Sequence, residues 1–238
     1  MSAIFITGTG TDVGKTFVAS SLIRLFRQMG REVEAIKPVV SGFDPQAAET
    51  SDPGILLEAL GRPVTPEEIE RISPWRYRAP LSPDLAATME RRRIDVGQVI
   101  AYCQEAAAQR RDVLLIEGAG GIMVPLDDRR TVLDLMIALQ LPLILVTGSY
   151  LGTISHTLTA LDALFRRNLK VLATIVSETP HSSVPLPDTV AALTRFANPV
   201  IGLPRQRYRA GGQESPPDEK TGRTVAAFDR IFGKPGPT

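Results

Sequence analysis

Short runs of apolar residues recur along the chain, at intervals that suit strands joined by longer connections. Most of the runs are apolar at successive positions, which is typical of parallel strands buried on both faces. Together they predict a set of strands, over residues 3–7, 33–39, 113–117, 143–147, 171–176 and 200–203.

Helical patterns separate these strands. Over residues 15–29, for example, Phe17, Leu22 and Phe26 return at near-helical spacing. Similar patterns predict further helices over residues 95–110, 131–140, 153–167 and 187–197. The alternation predicts an α/β fold with a doubly wound, mostly parallel sheet flanked by helices, in which ligands bind beyond the carboxyl ends of the strands.

The segment between the first strand and the first helix predicts a P-loop. Residues 8–16 read Gly-Thr-Gly-Thr-Asp-Val-Gly-Lys-Thr, and backbone N–H groups at such a turn converge on a phosphate. Lys15 can reach the β- and γ-phosphates, and the Thr16 hydroxyl can bind Mg²⁺. The spacing from Gly8 to Gly14 is one residue longer than the common motif. A glycine-rich turn without a ligand is the alternative, but Gly-Lys-Thr opens the helix itself, which favours a nucleoside triphosphate.

Length and composition indicate how many domains the chain can form. The 238 residues, 43% of them hydrophobic, suffice for one substantial core. Residues 42–83 are rich in Pro and Gly and predict a long excursion with short helices and loops. We expect one P-loop α/β catalytic domain over residues 1–208, and a mobile segment with a short terminal helix over residues 209–238.

Charge and cysteine content bear on partners and compartment. A net charge of +1 gives no global field for nucleic acid or an anionic membrane. The single cysteine, Cys103, lies in an apolar helical pattern and is expected to be a buried structural thiol. No segment is long and apolar enough to span a bilayer, and the N-terminus shows no signal-like run. We therefore expect a cytoplasmic protein without membrane or nucleic-acid partners.

Charged residues stand near the ends of predicted strands. Lys37 ends the second strand, where it would bring a second cation towards the γ-phosphate or simply lie exposed. Glu117 ends another strand and could bind Mg²⁺ directly or through water. Asp52 follows Ser51, and its spacing alone favours a helix N-cap over a metal ligand.

The segment Leu-Gly-Thr-Ile-Ser-His over residues 151–156 opens the helix predicted from residue 153. Free backbone amides at that helix start could receive a carboxylate. For His156 itself, ordinary packing or capping is favoured over a functional role.

These motifs, taken in order, resemble the dethiobiotin synthetase family. Residues 8–16 resemble its Gly-Thr-Asp-Thr-Glu-Val-Gly-Lys-Thr loop, including the extra spacing, and residues 37–42 resemble its Lys-Pro-Val-Ala-Ser-Gly. Residues 117–121 match Glu-Gly-Ala-Gly-Gly, and residues 151–156 are similar to Leu-Gly-Cys/Thr-Ile-Asn-His. Ser51-Asp52 resembles the family's Ser/Asn-Asp metal position. The likeness extends over roughly residues 3–205.

The resemblance implies an ATP-dependent cyclo-ligase of biotin synthesis. Its substrates would be 7,8-diaminopelargonic acid, CO₂ and ATP, with Mg²⁺ as cofactor, and the reaction would pass through a carbamate and a carbamic-phosphoric anhydride. The active species would be a homodimer. The residues implied in catalysis are Thr11, Lys15 and Lys37, and those implied in binding Mg²⁺ are Thr16, Asp52 and Glu117.

The resemblance also implies two sets of contacts. The residues implied at the nucleotide are Asp12, Val13, Gly14, Lys15, Thr16, Phe17, Asp52, Glu117, Gly118, Ala119, Gly120, Ser177, Glu178, Pro204, Arg205 and Gln206. The residues implied at the diamine are Asp12, Lys37 and Ser41, joined across the dimer interface by Gly152, Thr153 and Ile154.

The chain departs from the family pattern at a few positions. Ser177-Glu178 stands where the family typically has Asn-Asp to read adenine, and Pro204-Arg205-Gln206 replaces its Pro-Trp loop. Asp84 replaces a family histidine. The serine at position 177 predicts relaxed selection of the base.

The main alternative is a ParA/MinD-type ATPase, a nucleotide switch with the same fold and loop. That group usually has an additional lysine near the start of its loop, where this chain has Thr9-Gly10-Thr11. The sequence therefore favours the ligase.

Overall fold

The computed structural model describes residues 2–109 and 111–205 of the chain. The predicted contact of Gln206 and the segment 209–238 lie outside the described residues. Within the described part, the strands are β1 (Ser2–Gly8), β2 (Val33–Ile36), β3 (Val39–Ser41), β4 (Trp75–Tyr77), β5 (Val113–Glu117), β6 (Leu143–Gly148), β7 (Val171–Ser177) and β8 (Val200–Leu203).

The helices agree with the predicted ones to within a few residues, and the excursion adds three short ones. They are α1 (Lys15–Gln28), α2 (Asp52–Leu60), α3 (Pro66–Ile72), α4 (Pro83–Met89), α5 (Val96–Ala108), α6 (Val132–Leu139), α7 (Thr153–Phe165) and α8 (Leu186–Thr194). A 3₁₀ helix (Pro45–Thr50) precedes α2.

Six strands form one parallel sheet in the order β2-β5-β1-β6-β7-β8. β5 and β6 are buried at every position, as their continuous apolar runs predict. Helices connect the strands, which confirms the doubly wound α/β fold. Because all the strands run in one direction, the carboxyl ends of β1, β5 and β6 lie together at one edge of the sheet.

α1 packs its apolar stripe on this sheet. Leu22, Ile23 and Phe26 of α1 and Phe5 of β1 are all fully buried. Burial of a large apolar side chain contributes about 1.5–3 kcal/mol. This packing fixes the start of α1, and with it Lys15, against the end of β1.

The prediction of one strand over residues 33–39 is wrong. β2 ends at Ile36, and the Lys37 N–H donates to the Ile72 carbonyl at 2.9 Å. Pro38 has no N–H to continue the ladder. Beyond it, β3 pairs with β4 in a separate parallel sheet of two strands.

Cys103 is fully buried in α5, as predicted, and burial raises the pKa of its thiol to about 12. Such a thiol stays protonated and inert at physiological pH. In the described part of the chain, we find no helix with the length and apolar character needed to cross a membrane.

Candidate active site

The P-loop bends sharply between β1 and α1. Gly14 has φ 95°, a left-handed conformation that glycine adopts without strain, and Asp12 has φ 56°. A Cβ on Gly14 would lie 2.4 Å from Ser177 Oγ, so the position leaves no room for a side chain. The loop folds over Lys15, whose ammonium donates to the Gly10 carbonyl at 2.9 Å.

A cavity of about 750 Å³ lies beside this loop. Thr11 and Asp12 line it from the exposed part of the loop, while Ser41 ends β3 and Asp52 comes from the excursion. The other predicted residues on its wall are Gly14, Lys15, Thr16, Phe17, Lys37, Glu117, Ala119 and Gly120. The tertiary structure therefore gathers residues from three distant parts of the chain around one opening.

A buried ion cluster forms one wall of the cavity. Lys37 lies just beyond β2 and is 4% exposed, and its Nζ lies 2.7 Å from Glu117 Oε1 and also bonds Asp52 Oδ2. The Thr16 hydroxyl donates to the same Glu117 Oε1 at 2.7 Å. Lys37 is therefore not an exposed strand-end lysine.

Burial and neighbouring charges shift the pKa values of Lys37 and Lys15 in opposite directions. Burial alone would lower the pKa of Lys37, but Glu117 and Asp52 outweigh burial and raise it. Burial likewise opposes ionisation of Asp52, yet Lys37 holds the pKa of that carboxyl below its usual range. At Lys15, burial and then the charge of Lys37 lower the pKa to about 8. An anion placed between the two ammonium groups would relieve their repulsion.

The second oxygen of Glu117 is available to a cation. Glu117 Oε2 is buried and has no hydrogen-bond partner among the described residues. A buried carboxylate oxygen left in this way carries a large desolvation cost. The hydroxyl of Thr16 and the carboxylate of Asp52 lie at the same wall, which gives an all-oxygen donor set of the kind that Mg²⁺ prefers.

The helix-cap interpretation of Asp52 is wrong. Ser51 is the N-cap of α2, because its hydroxyl accepts from the Gly54 N–H at 3.3 Å. Asp52 is the first residue of the helix, and its carboxylate turns to Lys37 instead.

Other predicted contacts lie outside the cavity. Val13 and Gly118 are buried beneath it, so that only their backbone could approach a nucleotide. Ser177 packs beneath Gly14 at the end of β7. Glu178 is exposed, and its carboxylate accepts from the Arg205 N–H at 2.8 Å, which holds Arg205 beside the end of β7.

The start of α7 does not line the cavity of the same chain. Gly152, with φ 95°, leads into the helix, but the Thr153 N–H already donates to the Tyr150 carbonyl at 3.1 Å. Thr153 is buried, and its hydroxyl donates inward to the Gly148 carbonyl at 2.7 Å. Ile154 thus offers a free amide, whereas Thr153 offers neither its amide nor its side chain.

His156 is exposed, and its Nδ1 lies 3.0 Å from the Tyr150 hydroxyl. This local pairing agrees with the packing interpretation of that histidine.

Sequence reasoning missed part of the cavity wall. Pro80, Leu81 and Val124 line it, together with Thr50 at the end of the 3₁₀ helix. Leu81 is 44% exposed, and an apolar side chain between two prolines in a polar loop was the available signal.

A central strand, a phosphate-binding loop and a helix that opens on Lys-Thr define the class of P-loop nucleotide-binding proteins. A family model described as an AAA domain matches residues 2–205. ATP-dependent dethiobiotin synthetase BioD of Caulobacter sp. strain K31 is 49% identical over 211 residues, 86% of this chain and 89% of its own length. The ATP-dependent dethiobiotin synthetase BioD of Phenylobacterium zucineum is 47% identical, over 88% of this chain and 92% of its own length. The chain belongs to the ATP-dependent dethiobiotin synthetase family and is an enzyme of the ligase class.

The cell division ATPase MinD of Pyrococcus furiosus superposes with a TM-score of 0.59 at 16% identity, over 99% of this chain and 100% of its own. At that identity, the likeness shows the shared fold alone. The ParA/MinD-type alternative therefore receives no support beyond the architecture.

Proposed function

We propose that this site makes dethiobiotin from 7,8-diaminopelargonic acid and CO₂ with hydrolysis of ATP to ADP and phosphate. The observation that carries the proposal is the pair of buried lysines, Lys15 and Lys37, that face one cavity at the carboxyl edge of the sheet. A P-loop supplies the first lysine for a triphosphate. The second suits an anionic group that reacts with that triphosphate.

The proposed reaction proceeds in three steps. One amine of the substrate forms a C–N bond with CO₂ and loses a proton, which gives a carbamate. A carbamate oxygen attacks the γ-phosphorus, and the bond between that phosphorus and the bridging oxygen of ADP breaks. The second amine attacks the carbamate carbon and loses a proton, phosphate leaves, and the ureido ring closes.

The two lysines would hold the reactants of the second step together. A carbamate and a γ-phosphate repel each other, and phosphoryl transfer depends chiefly on positioning and charge neutralisation. Lys37 stays protonated because Glu117 and Asp52 raise its pKa. Thr11 and the loop amides would complete the grip on the γ-phosphate, and Asp12 and Ser41 would contact the diamine.

Thr16, Asp52 and Glu117 would hold Mg²⁺, and the fit rests on the unpartnered Glu117 Oε2. In the described part of the chain, no group of three His, Cys, Asp or Glu residues surrounds a metal position. That pattern suits Mg²⁺, which keeps several waters and binds through one or two carboxylates plus substrate phosphates. When bound, the ion would neutralise charge on the phosphates.

A coupled assay tests the proposed function. The protein is incubated with the diamine, labelled bicarbonate, Mg²⁺ and ATP, and mass spectrometry measures dethiobiotin and ADP. We expect equal amounts of both products and little ADP when the diamine is omitted. Equal ATP hydrolysis with and without the diamine would instead indicate a nucleotide switch.

We expect the active species to be a homodimer in which the start of α7 serves the partner's cavity. Leu151, beside Gly152, is 89% exposed and is the kind of apolar residue that a partner would cover. Sedimentation at assay concentration checks the dimer, and a fully active monomer would contradict it.

Gly152→Val should raise the KM for the diamine, because a side chain at φ 95° is strained and would obstruct the helix amides.

We expect the nucleobase to lie beyond Gly14, near Ser177 and Glu178, and to be selected weakly. The Ser177 hydroxyl cannot offer the paired donor and acceptor of an asparagine amide. Loss of one hydrogen bond removes about 0.5–1.5 kcal/mol, which is roughly a 2- to 13-fold preference. CTP and GTP should therefore support turnover.

Ser177→Asn should shift that preference towards ATP, measured as the ratio of kcat/KM for ATP and CTP. Thr179→Asn, two residues further along the chain, is the control and should leave the ratio unchanged. Strict ATP dependence in both the wild type and Ser177→Asn would place base recognition elsewhere.

A further inference from the structure

A line of threonine hydroxyls, half-buried at the P-loop and buried beyond it, joins the P-loop to the start of α7. Thr9 Oγ1 lies 3.0 Å from Thr147 Oγ1, and Thr147 Oγ1 lies 2.7 Å from Thr153 Oγ1. Thr157 Oγ1 lies within 3.0 Å of Thr147 as well. We call Thr9, Thr147, Thr153 and Thr157 the threonine network.

The direction of these hydrogen bonds follows from their end point. The Gly148 carbonyl can only accept, so the single hydroxyl hydrogen of Thr153 is donated to it at 2.7 Å. Thr147 must then donate to Thr153, and Thr9 must donate to Thr147. The hydrogen bonds from Thr9 to Thr147 to Thr153 therefore run from the loop to the helix in one direction, with each of these hydroxyls donating once.

The placement of Thr147 in β6 requires such partners. The strand reads Leu-Ile-Leu-Val-Thr-Gly, and Thr147 is fully buried at its carboxyl end. A valine would fill the same volume with no polar atom to satisfy, whereas a buried hydroxyl without partners is unfavourable. Thr147 meets this need by bonding the loop on one side and α7 on the other.

Both ends of the network are anchored close to functional segments. The Thr9 N–H donates to the Val146 carbonyl at 2.9 Å, so the first residues of the loop are tied to β6. The Thr157 hydroxyl has one hydrogen, which it can donate to the Thr147 hydroxyl at 3.0 Å or to the Thr153 carbonyl at 2.7 Å. Both acceptors lie at the start of α7. A shift of the loop relative to α7 would break at least one buried hydrogen bond.

We propose that Thr147 is a positioning residue and that the threonine network couples triphosphate binding at residues 8–16 to the geometry of the α7 start. The second half rests on the proposed function, in which that helix start receives the substrate carboxylate. In the proposed homodimer, the helix start serves the partner's cavity. Nucleotide bound to one subunit would then favour diamine binding in the partner's cavity, which the α7 start of the first subunit completes.

Four variants separate this role from simple packing. Thr147→Val removes the central hydroxyl at constant volume, and Thr147→Ser keeps the hydroxyl. Thr189→Val is the matched control, because Thr189 of α8 is equally buried and its hydroxyl donates only to the Pro185 carbonyl at 3.2 Å. Thr9→Val breaks the first link from the loop and serves if Thr147→Val does not fold.

Hydrogen–deuterium exchange with Mg²⁺ and a non-hydrolysable ATP analogue tests the coupling without turnover. In the wild type, Thr147→Ser and Thr189→Val, we expect the analogue to slow exchange at residues 8–16 and also at residues 149–157. In Thr147→Val, or in Thr9→Val, only residues 8–16 should be slowed. Slowing of both segments in these hydroxyl-less variants, or no slowing of residues 149–157 in the wild type, would overturn the proposal.

Kinetics adds a second readout that a purely structural role would not move. In the wild type, the apparent KM for the diamine should be about 5-fold or more lower at saturating ATP than at an ATP concentration well below saturation. This factor should approach unity in Thr147→Val and persist in Thr147→Ser. If the wild type forms no dethiobiotin, the proposed function fails alone, because the exchange result stands without any reaction.

Discussion

Replacement of Lys37 by alanine is expected to lower kcat by about 100-fold or more, equivalent to about 2.7 kcal/mol of lost transition-state stabilisation. Nucleotide binding should change much less, because Lys15 and the loop amides still hold the triphosphate. In the proposed reaction, Lys37 would lie where charge develops between the carbamate and the γ-phosphate.

The experiment compares kcat with the affinity for an ATP analogue measured by calorimetry. Lys37→Met is the matched variant, since it keeps the apolar stem and removes only the ammonium. Both variants leave Glu117 and Asp52 without their buried cation, so thermal unfolding must be measured alongside to confirm that the fold is intact. Near-normal turnover in a folded variant would exclude the proposed role.

Glu117→Gln is expected to raise the Mg²⁺ concentration needed for half-maximal activity by about 10-fold or more. A neutral amide is a weaker ligand for a hard cation, and the substitution also removes one of the two charges that keep Lys37 protonated. The side chain of Glu117 is 1% exposed, so solvent cannot compensate. Asp52→Asn should act in the same direction and less strongly, because the Asp52 side chain is 43% exposed.

The control for this experiment is Asp134→Asn. Asp134 is the acidic residue of the capping box at the start of α6, where it accepts from the Thr131 N–H at 2.7 Å. Loss of that cap should reduce thermal stability and leave the Mg²⁺ titration unchanged. An unchanged titration in Glu117→Gln would place the metal away from this carboxylate.

The sequence by itself determined the phosphate-binding loop and the order of strands and helices. The structure confirms the α/β fold that this order predicts. These features are local, since a P-loop is one short segment between a strand and a helix, and periodicity reports burial within a few residues. Strands β5 and β6 could be predicted from their apolar runs without tertiary information. Asp52 was different, because its spacing favoured a helix cap, whereas the structure gives the cap to Ser51.

Only the tertiary structure decided which side chains meet. It ended β2 at Ile36 because Lys37 bonds to Ile72 and Pro38 cannot donate, a contact that no strand pattern contains. It placed Lys37 between Asp52 and Glu117, which lie 15 and 80 residues away along the chain. Such pairings depend on how distant elements pack and on the desolvation of their charges, whereas residue spacing reports only local conformation.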